Sequence, residues 1–320
     1  MNNKNCQVSV CITTFNLAPF IAQAIESVLA QKVNFSYEIV ISDDCSKDET
    51  QKILLDYQKR YPNLVKLLFN EVNVGATKNT VKILSEAQGK YIALLDGDDY
   101  WTSPEKLQLQ FDFLESHPDI AICFHGSDVF TGGELKPHFL PVPQFRKPRS
   151  QMMDLIVFDS FMPTSSIMFR NGLIKNFPPE YYATRGINDW PLNVLLSQHG
   201  DIGYIDSSMS VYRQASSIHA FTYKPIEKIL KNAILLNRQF DKYFSGKYRD
   251  IFYGKISKYY LEMSKDNLRR GVLSKAQKYL NCANAYKPNI KRTIKLKFYY
   301  FPRLAVKNWA AKLLQGNKTN

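Results

Sequence analysis

Long apolar runs are missing from this 320-residue sequence. Residues 91–95 form one of the longest, far short of the roughly 20 residues that a membrane-spanning helix needs, so no span is expected. Glycine and proline are sparse, at 14 and 15 residues, which excludes a collagen-like or low-complexity chain. The five cysteines, Cys6, Cys11, Cys45, Cys123 and Cys282, are scattered and lack CxxC or Cys/His spacing. Neither a disulfide framework nor structural zinc is therefore expected. GxGxxG, GxxxxGK[ST] and HExxH are all absent, which removes the dehydrogenase, P-loop NTPase and zincin readings. The first seven residues are polar and have no apolar stretch or cleavage site of a secretory signal, so the expected location is the cytoplasm.

What is present suits a folded, globular chain: 45% hydrophobic, 13% aromatic and 22% charged residues. The net charge of +13 is unevenly spread. Residues 222–320 hold 23 Lys and Arg against 5 Asp and Glu, whereas residues 1–221 hold 19 against 24. An acidic part with clustered aspartates suits metal ions, and a basic part suits polyanionic partners, either nucleic acid or an anionic membrane surface.

Residues 7–13 read as a strand, and residues 17–31 carry apolar side chains at helical spacing. The cycle repeats with strands at 37–42, 64–69 and 90–95 and helices at 47–60 and 75–87. Such alternation predicts a doubly wound α/β domain with a mostly parallel sheet. A helix is expected at 103–117 and a strand at 120–124. Residues 126–150 lose periodicity and read as a flexible active-site loop. Strands are then expected at 164–169, 202–205 and 209–212, with a helix at 190–198. Beyond residue 222 the pattern is wholly helical, over 225–244, 248–268 and 273–285, so the expected organisation is an α/β domain over 1–221 and a basic helical module over 222–320.

In open sheets of this kind ligands bind beyond the carboxyl ends of the strands. Those ends carry Thr13-Thr14-Phe15-Asn16, Asp43-Asp44-Cys45-Ser46 and Asp96-Gly97-Asp98-Asp99, so five aspartates converge on one edge. Carboxylates two apart after a buried strand suit a hard divalent cation shared with substrate phosphates, because Mg²⁺ commonly takes only one or two protein carboxylates. The same cluster also suits a solvated loop or a helix cap, a reading that fits Asp99 in particular.

The ordered segments VSVCITTFN, EIVISDDCSKDET, NVGATKN and GKYIALLDGDDYW, followed by PTSSIMFR, NDWPL and GYIDSSMSVYR, resemble the nucleotide-diphospho-sugar glycosyltransferases of family 2, which have the GT-A fold. The resemblance covers about two thirds of the chain, residues 8–213, and is nearest to bacterial members that build lipopolysaccharide, capsule or other surface glycans. It implies an inverting, Mn²⁺- or Mg²⁺-dependent sugar transferase. The implied donor is a UDP- or dTDP-linked sugar, and the implied acceptor a glycan or a polyprenyl-diphosphate-linked sugar.

The resemblance also implies roles. Thr13, Phe15 and Asn16 line the base pocket, Asp44 accepts from the pyrimidine ring and Asp43 orients the loop. Asn73, Gly75, Lys78 and Asn79 form a third nucleotide-binding stretch, although Lys78 reads equally as an exposed helix lysine. Asp96 meets the ribose or the metal, and Asp98 ligates the cation. Asp189 is the catalytic base, its other reading being a carboxylate in the first turn of a helix. Trp190 reads either as an acceptor platform or as core. Arg213 reads either as a diphosphate contact or as a structural partner. Relatives carry a His two residues after the Tyr-Arg pair, where this chain has Ala215. His219 is the nearby substitute for the metal or diphosphate, or else an ordinary surface histidine.

Two other functions compete. A sugar-1-phosphate nucleotidyltransferase shares the architecture, but TTFNLAPF lacks the glycine and the cation that its triphosphate loop needs. A nucleic-acid arm would use the basic segment, which carries no recognition motif, so no nucleic-acid partner is expected. Lys291, Arg292, Lys295, Lys297, Arg303 and Lys307 alternate with aromatic and aliphatic residues. That mixture suits peripheral docking at the inner face of the plasma membrane, the alternatives being a helical core or a homo-oligomer contact.

Overall fold

Residues 8–14 are almost wholly buried, as a strand is when helices cover both faces of a sheet. They form β1 (Val8–Thr14), flanked by the parallel strands β2 (Tyr37–Asp43) and β4 (Tyr91–Asp96), with β3 (Val65–Phe69) outside β2. The computed structural model describes residues 6–183, 189–214 and 226–288, and the backbone alone for 138–140. The chain falls into two compact units, Met1–Thr222 and Tyr223–Asn320.

Crossover helices α1 (Ile21–Leu29), α2 (Thr50–Arg60) and α3 (Ala76–Glu86) join these strands. In α1, Ile21, Ala24, Ile25 and Val28 fall at the i, i+3, i+4, i+7 spacing of one helical face, and all four are buried. The helix expected from residue 47 starts at Thr50. Asp48 accepts N–H bonds from Ala18 and Thr50, both at 3.0 Å, which holds the preceding turn outside the helix.

After β4 come β5 (Tyr100–Trp101), α4 (Lys106–Ser116), β6 (Ile120–Thr131) and β7 (Glu134–Leu140), then β8 (Arg149–Ser150), α5 (Met152–Phe158), β9 (Met168–Arg170), α6 (Asp189–Leu196) and β10 (Asp201–Arg213). The path through the sheet is β3-β2-β1-β4-β9-β6-β10-β5, with β7 on β6 and β8 on β10. β6 and β10 are parallel, while β9 runs antiparallel between β4 and β6.

Three expectations are corrected. Residues 126–150 are not a structureless loop: β6 runs on to Thr131 and returns as β7 around Gly132 and Gly133, whose φ values of 61° and 83° suit a tight hairpin. The strand expected at 164–169 is a 3₁₀ turn, Thr164–Ser166, followed by the short β9. The two strands expected at 202–205 and 209–212 are one, since register shifts near Ser208 absorb the polar break.

The first unit's core gathers Val8, Val10, Ile12, Ile39, Ile41, Ala93 and Leu95 from the strands against Ile25, Leu54 and Leu107 from the helices. It also holds a lysine. Lys106 is fully buried, its Nζ lies 3.8 Å from the Trp101 ring centroid, and that atom has no hydrogen-bond partner. Burial pushes its pKa down to about 7. The unfolded chain, with a lysine pKa near 10.4, therefore binds more protons between about pH 7 and 10, so this residue makes stability rise with pH across that window. Lys106→Met is expected to melt higher at pH 7.5, by about 2–4 °C for each kcal/mol recovered, and to show a smaller gain than wild type on going to pH 9.5. Thermal melts at the two pH values check this, and an unchanged difference would disprove it.

The second unit packs α7 (Ile226–Tyr243), α8 (Arg249–Arg269) and α9 (Leu273–Tyr286). Leu261, Leu268, Ala276, Leu280 and Ala283 form one apolar cluster, and Ile234, Ile256, Met263 and Tyr279 form another. No described helix is long and apolar enough to cross a membrane.

Candidate active site

Parallel pairing brings the ends of β1, β2 and β4 level: Thr13 lies opposite Ser42 on one side and Asp96 on the other. Thr13 Oγ1 donates to Asp96 Oδ1 at 3.0 Å. The chain then turns through Gly97, whose N–H reaches Thr13 O at 2.9 Å. A Cβ at Gly97 would stand 3.1 Å from Thr13 O, Thr14 Cβ and Ile21 Cδ1, so a side chain there would require these neighbours to give by a few tenths of an ångström.

The two aspartates at the end of β2 have separate tasks. Asp43 is fully buried and accepts from Ser46 N at 2.9 Å, Gln51 Nε2 at 2.7 Å and the Ser46 hydroxyl, so it orients its own loop. Asp44 reaches across to the β3–α3 loop. Its Oδ1 accepts from Val74 N at 2.8 Å and Asn70 Nδ2 at 3.0 Å, and its Oδ2 accepts from Gly75 N at 2.9 Å. A carboxylate offers about four acceptor positions, so these three bonds leave one of them, on Oδ2, unused.

Asn73 Nδ2 donates to Asp44 O at 3.2 Å, and Asn79 is buried between Ser42 and Asn70, bracing the loop from below. Lys78 is exposed on α3. Asn16 adopts φ 53° and binds the facing loop through Ser46 Oγ and Lys47 N, both at 2.7 Å, with the half-buried Phe15 beside it.

The acidic turn is bolted down behind. Asp99 is buried, and its Oδ1 accepts the Arg213 N–H at 2.9 Å. Arg213 Nη1 donates to Asp98 O at 2.5 Å, Nη2 donates to Gln23, and the guanidinium covers the rings of Tyr100 and Phe20 at 4.6 and 5.2 Å. Arg213 thus clamps β10 to the turn. Trp101 Nε1 donates to Ser165 O at 2.8 Å, which ties the turn to the 3₁₀ segment as well.

Carboxylates are in excess here. Burial and the charge of Asp98 push Asp96 up to about 7, with Asp189 adding to the effect and hydrogen bonds from Thr13 and Thr164 opposing it. Burial, Asp98 and Asp96 push Asp99 well above the usual carboxylate range, against hydrogen bonds from Arg213 and Ser165. The charge of Asp189, the first residue of α6, therefore reaches Asp96. Trp190 beside it is 4% exposed and donates Nε1 to Leu155 O at 2.8 Å, so its burial matches the core reading. His219 lies outside the described residues. The sequence reading gave no role to Thr164 and Ser165, although PTSS was among the segments carrying the resemblance.

Among the described residues no group of three or more His, Cys, Asp or Glu is arranged to enclose a metal ion. The donor set nevertheless fits a divalent cation completed by substrate oxygens: Asp96 and Asp98 are half-buried carboxylates, would be hard ligands, and repel each other in a way such a cation would relieve.

Residues 9–177 match the model of glycosyl transferase family 2, and the chain belongs to that family. An uncharacterized protein of Mycobacterium tuberculosis is 31% identical over 271 residues, covering 82% of this chain and 77% of that one. The structure of S. aureus TarS 1–349 in complex with UDP-GlcNAc shares the fold at TM-score 0.58 and 18% identity, over 87% of this chain and 90% of that one. So does the mannosyltransferase PcManGT from Pyrobaculum calidifontis in complex with GDP-Man and Mn²⁺, at TM-score 0.56 and 16% identity, over 95% and 87%. The fold is that of the GT-A glycosyltransferases.

Proposed function

We propose that this chain transfers a sugar, with inversion, from a nucleoside-diphosphate donor to a hydroxyl of a glycan or a polyprenyl-diphosphate-linked acceptor, in the synthesis of a surface polysaccharide. The observation that carries the reading is that a third carboxylate, Asp189 at the start of α6, is near enough to the acidic turn at the carboxyl ends of the strands for its charge to raise Asp96. The nucleotide base lies in the cleft of Thr13, Phe15 and Asn16, where the remaining Asp44 acceptor position takes a ring N–H. A divalent cation, Mn²⁺ or Mg²⁺, held by Asp98 with Asp96, would supply positive charge to the leaving diphosphate. Asp189 takes the proton of the acceptor hydroxyl as that oxygen bonds to the anomeric carbon, while the carbon–oxygen bond to the diphosphate breaks on the opposite face.

GDP-Man and Mn²⁺ in PcManGT and UDP-GlcNAc in TarS support a nucleotide-sugar donor and a metal. The motif resemblance to bacterial surface-glycan enzymes supports the acceptor class and a place at the inner face of the plasma membrane. The basic-aromatic stretch at 289–320, outside the described residues, would hold the enzyme there. Co-sedimentation with anionic but not neutral vesicles would support that placement. The main test is a thermal-shift screen of UDP-, dTDP- and GDP-sugars with and without Mn²⁺. At a ligand concentration of 100 Kd the folded state gains about 2.7 kcal/mol, so one nucleotide class should raise the midpoint in a Mn²⁺-dependent way. No shift with any of them would defeat the reading.

A further inference from the structure

Charge develops on the diphosphate as it leaves, and the motifs name Arg213 and His219 as candidate donors for it beside the exposed Lys78 of α3. His219 lies outside the described residues, and the Arg213 guanidinium is taken up by Asp98 O, Gln23 and two aromatic rings. One hydroxyl at the same place has no assigned role. Tyr212, 39% exposed on β10, follows Val211, which pairs with Tyr100 just after the acidic turn. It precedes Arg213, whose own N–H is held by Asp99. Both neighbours of Tyr212 are therefore fixed to that turn.

Its phenol lies within reach of the charges of Asp99, Asp96, Asp98 and Asp189, yet its hydroxyl has no hydrogen-bond partner among the described residues. An ionised carboxylate only accepts, whereas a phenol donates. Burial and these charges push the Tyr212 pKa up to about 12, so the donor proton is retained at any physiological pH.

We propose that Tyr212 donates a hydrogen bond to a non-bridging oxygen of the terminal phosphate of the nucleoside diphosphate, on the side facing Asp98. The proposal rests on the sugar-transfer reading above. The contact is neutral on the protein side, so it stabilises the anion without competing with it for the carboxylates. Tyr212 makes and breaks no covalent bond, and its proton stays on the phenol while the sugar–phosphate bond breaks. As a contact to the leaving group it strengthens when the diphosphate gains charge, so it acts on turnover as well as on product affinity.

The experiment uses Tyr212→Phe in the full chain, with calorimetric binding of UDP, dTDP and GDP and of the matching monophosphates in Mn²⁺. A hydrogen bond to a charged oxygen is worth enough that the diphosphate bound by wild type is expected to bind about 10- to 100-fold more weakly. The matching monophosphate should bind within about twofold of wild type, since the lost contact is to the terminal phosphate alone. Tyr212→His, which keeps a donor, should recover part of the loss. Unchanged diphosphate affinity, or an equal loss for diphosphate and monophosphate, would overturn the proposal. If wild type binds none of the three diphosphates, the sugar-transfer reading itself fails, a separate and recognisable result.

Discussion

Asp189→Asn is expected to lower turnover roughly 10²–10⁴-fold, the contribution of a positioned general base, with donor affinity almost unchanged. Asparagine keeps the shape of the side chain in the first turn of α6 and loses the basic oxygen. The exchange also costs part of the carboxylate's favourable interaction with the helix N-terminus, about 0.3–1 kcal/mol, which is too little to unfold a domain of this size. It also removes one of the charges that raise Asp96, so the donor end of the site, if affected, should be relieved rather than harmed. Steady-state transfer rates with separately measured donor affinity check the split. A variant that keeps near wild-type turnover would take Asp189 out of the mechanism. One that loses donor affinity in parallel would make its role structural.

The first half of the sheet was legible because its physics is local. β1, β2 and β4 are buried on both faces and appear as continuous apolar runs, and α1 carries its buried stripe at helical spacing. The carboxyl ends of those strands, and so the acidic turn, followed from the alternation alone. The second half depends on pairings that no local pattern records. β9 enters between β4 and β6, more than 70 residues after β4, and only three residues long it leaves no period to detect. The β6–β7 hairpin was hidden because Pro137 and other prolines mask an edge strand's alternation, while the Gly132-Gly133 pair was its one local signal.

Within the site, Asp43 and Asp44 look equivalent as text, but the first closes β2 and the second lies just past its end, and their partners differ. One is committed to its own loop, and the other reaches across to the Val74 and Gly75 amides. The clamp from Arg213 to Asp98 spans 115 residues, and nothing short of the fold brings Tyr212 to the same place.

The Arg213 clamp makes Asp98→Ala a clean test of the metal. Arg213 grips the Asp98 carbonyl, which alanine keeps, and Asp99 is anchored separately through the Arg213 N–H, so these two bonds should hold the turn on its course in the variant. Folding should not suffer. The charge of Asp98 raises both Asp96 and Asp99, and its removal relieves that repulsion, so the unliganded variant should melt at or slightly above the wild-type temperature. Donor binding should behave in the opposite way. With one half-buried carboxylate left, the turn cannot hold a cation against water, and a diphosphate brought near Asp96, Asp99 and Asp189 would then meet like charge with nothing to offset it. The expected result is that Mn²⁺ no longer increases nucleoside-diphosphate affinity, at a cost of roughly 10²-fold or more when a tight contact to a charged group is lost in a partly buried site. Calorimetric titration with and without Mn²⁺, beside a thermal melt of the same preparation, reads both halves. Mn²⁺-dependent affinity surviving in a folded variant would remove Asp98 from the cation site, and a large fall in the unliganded melting temperature would show that its carboxylate supports the turn itself.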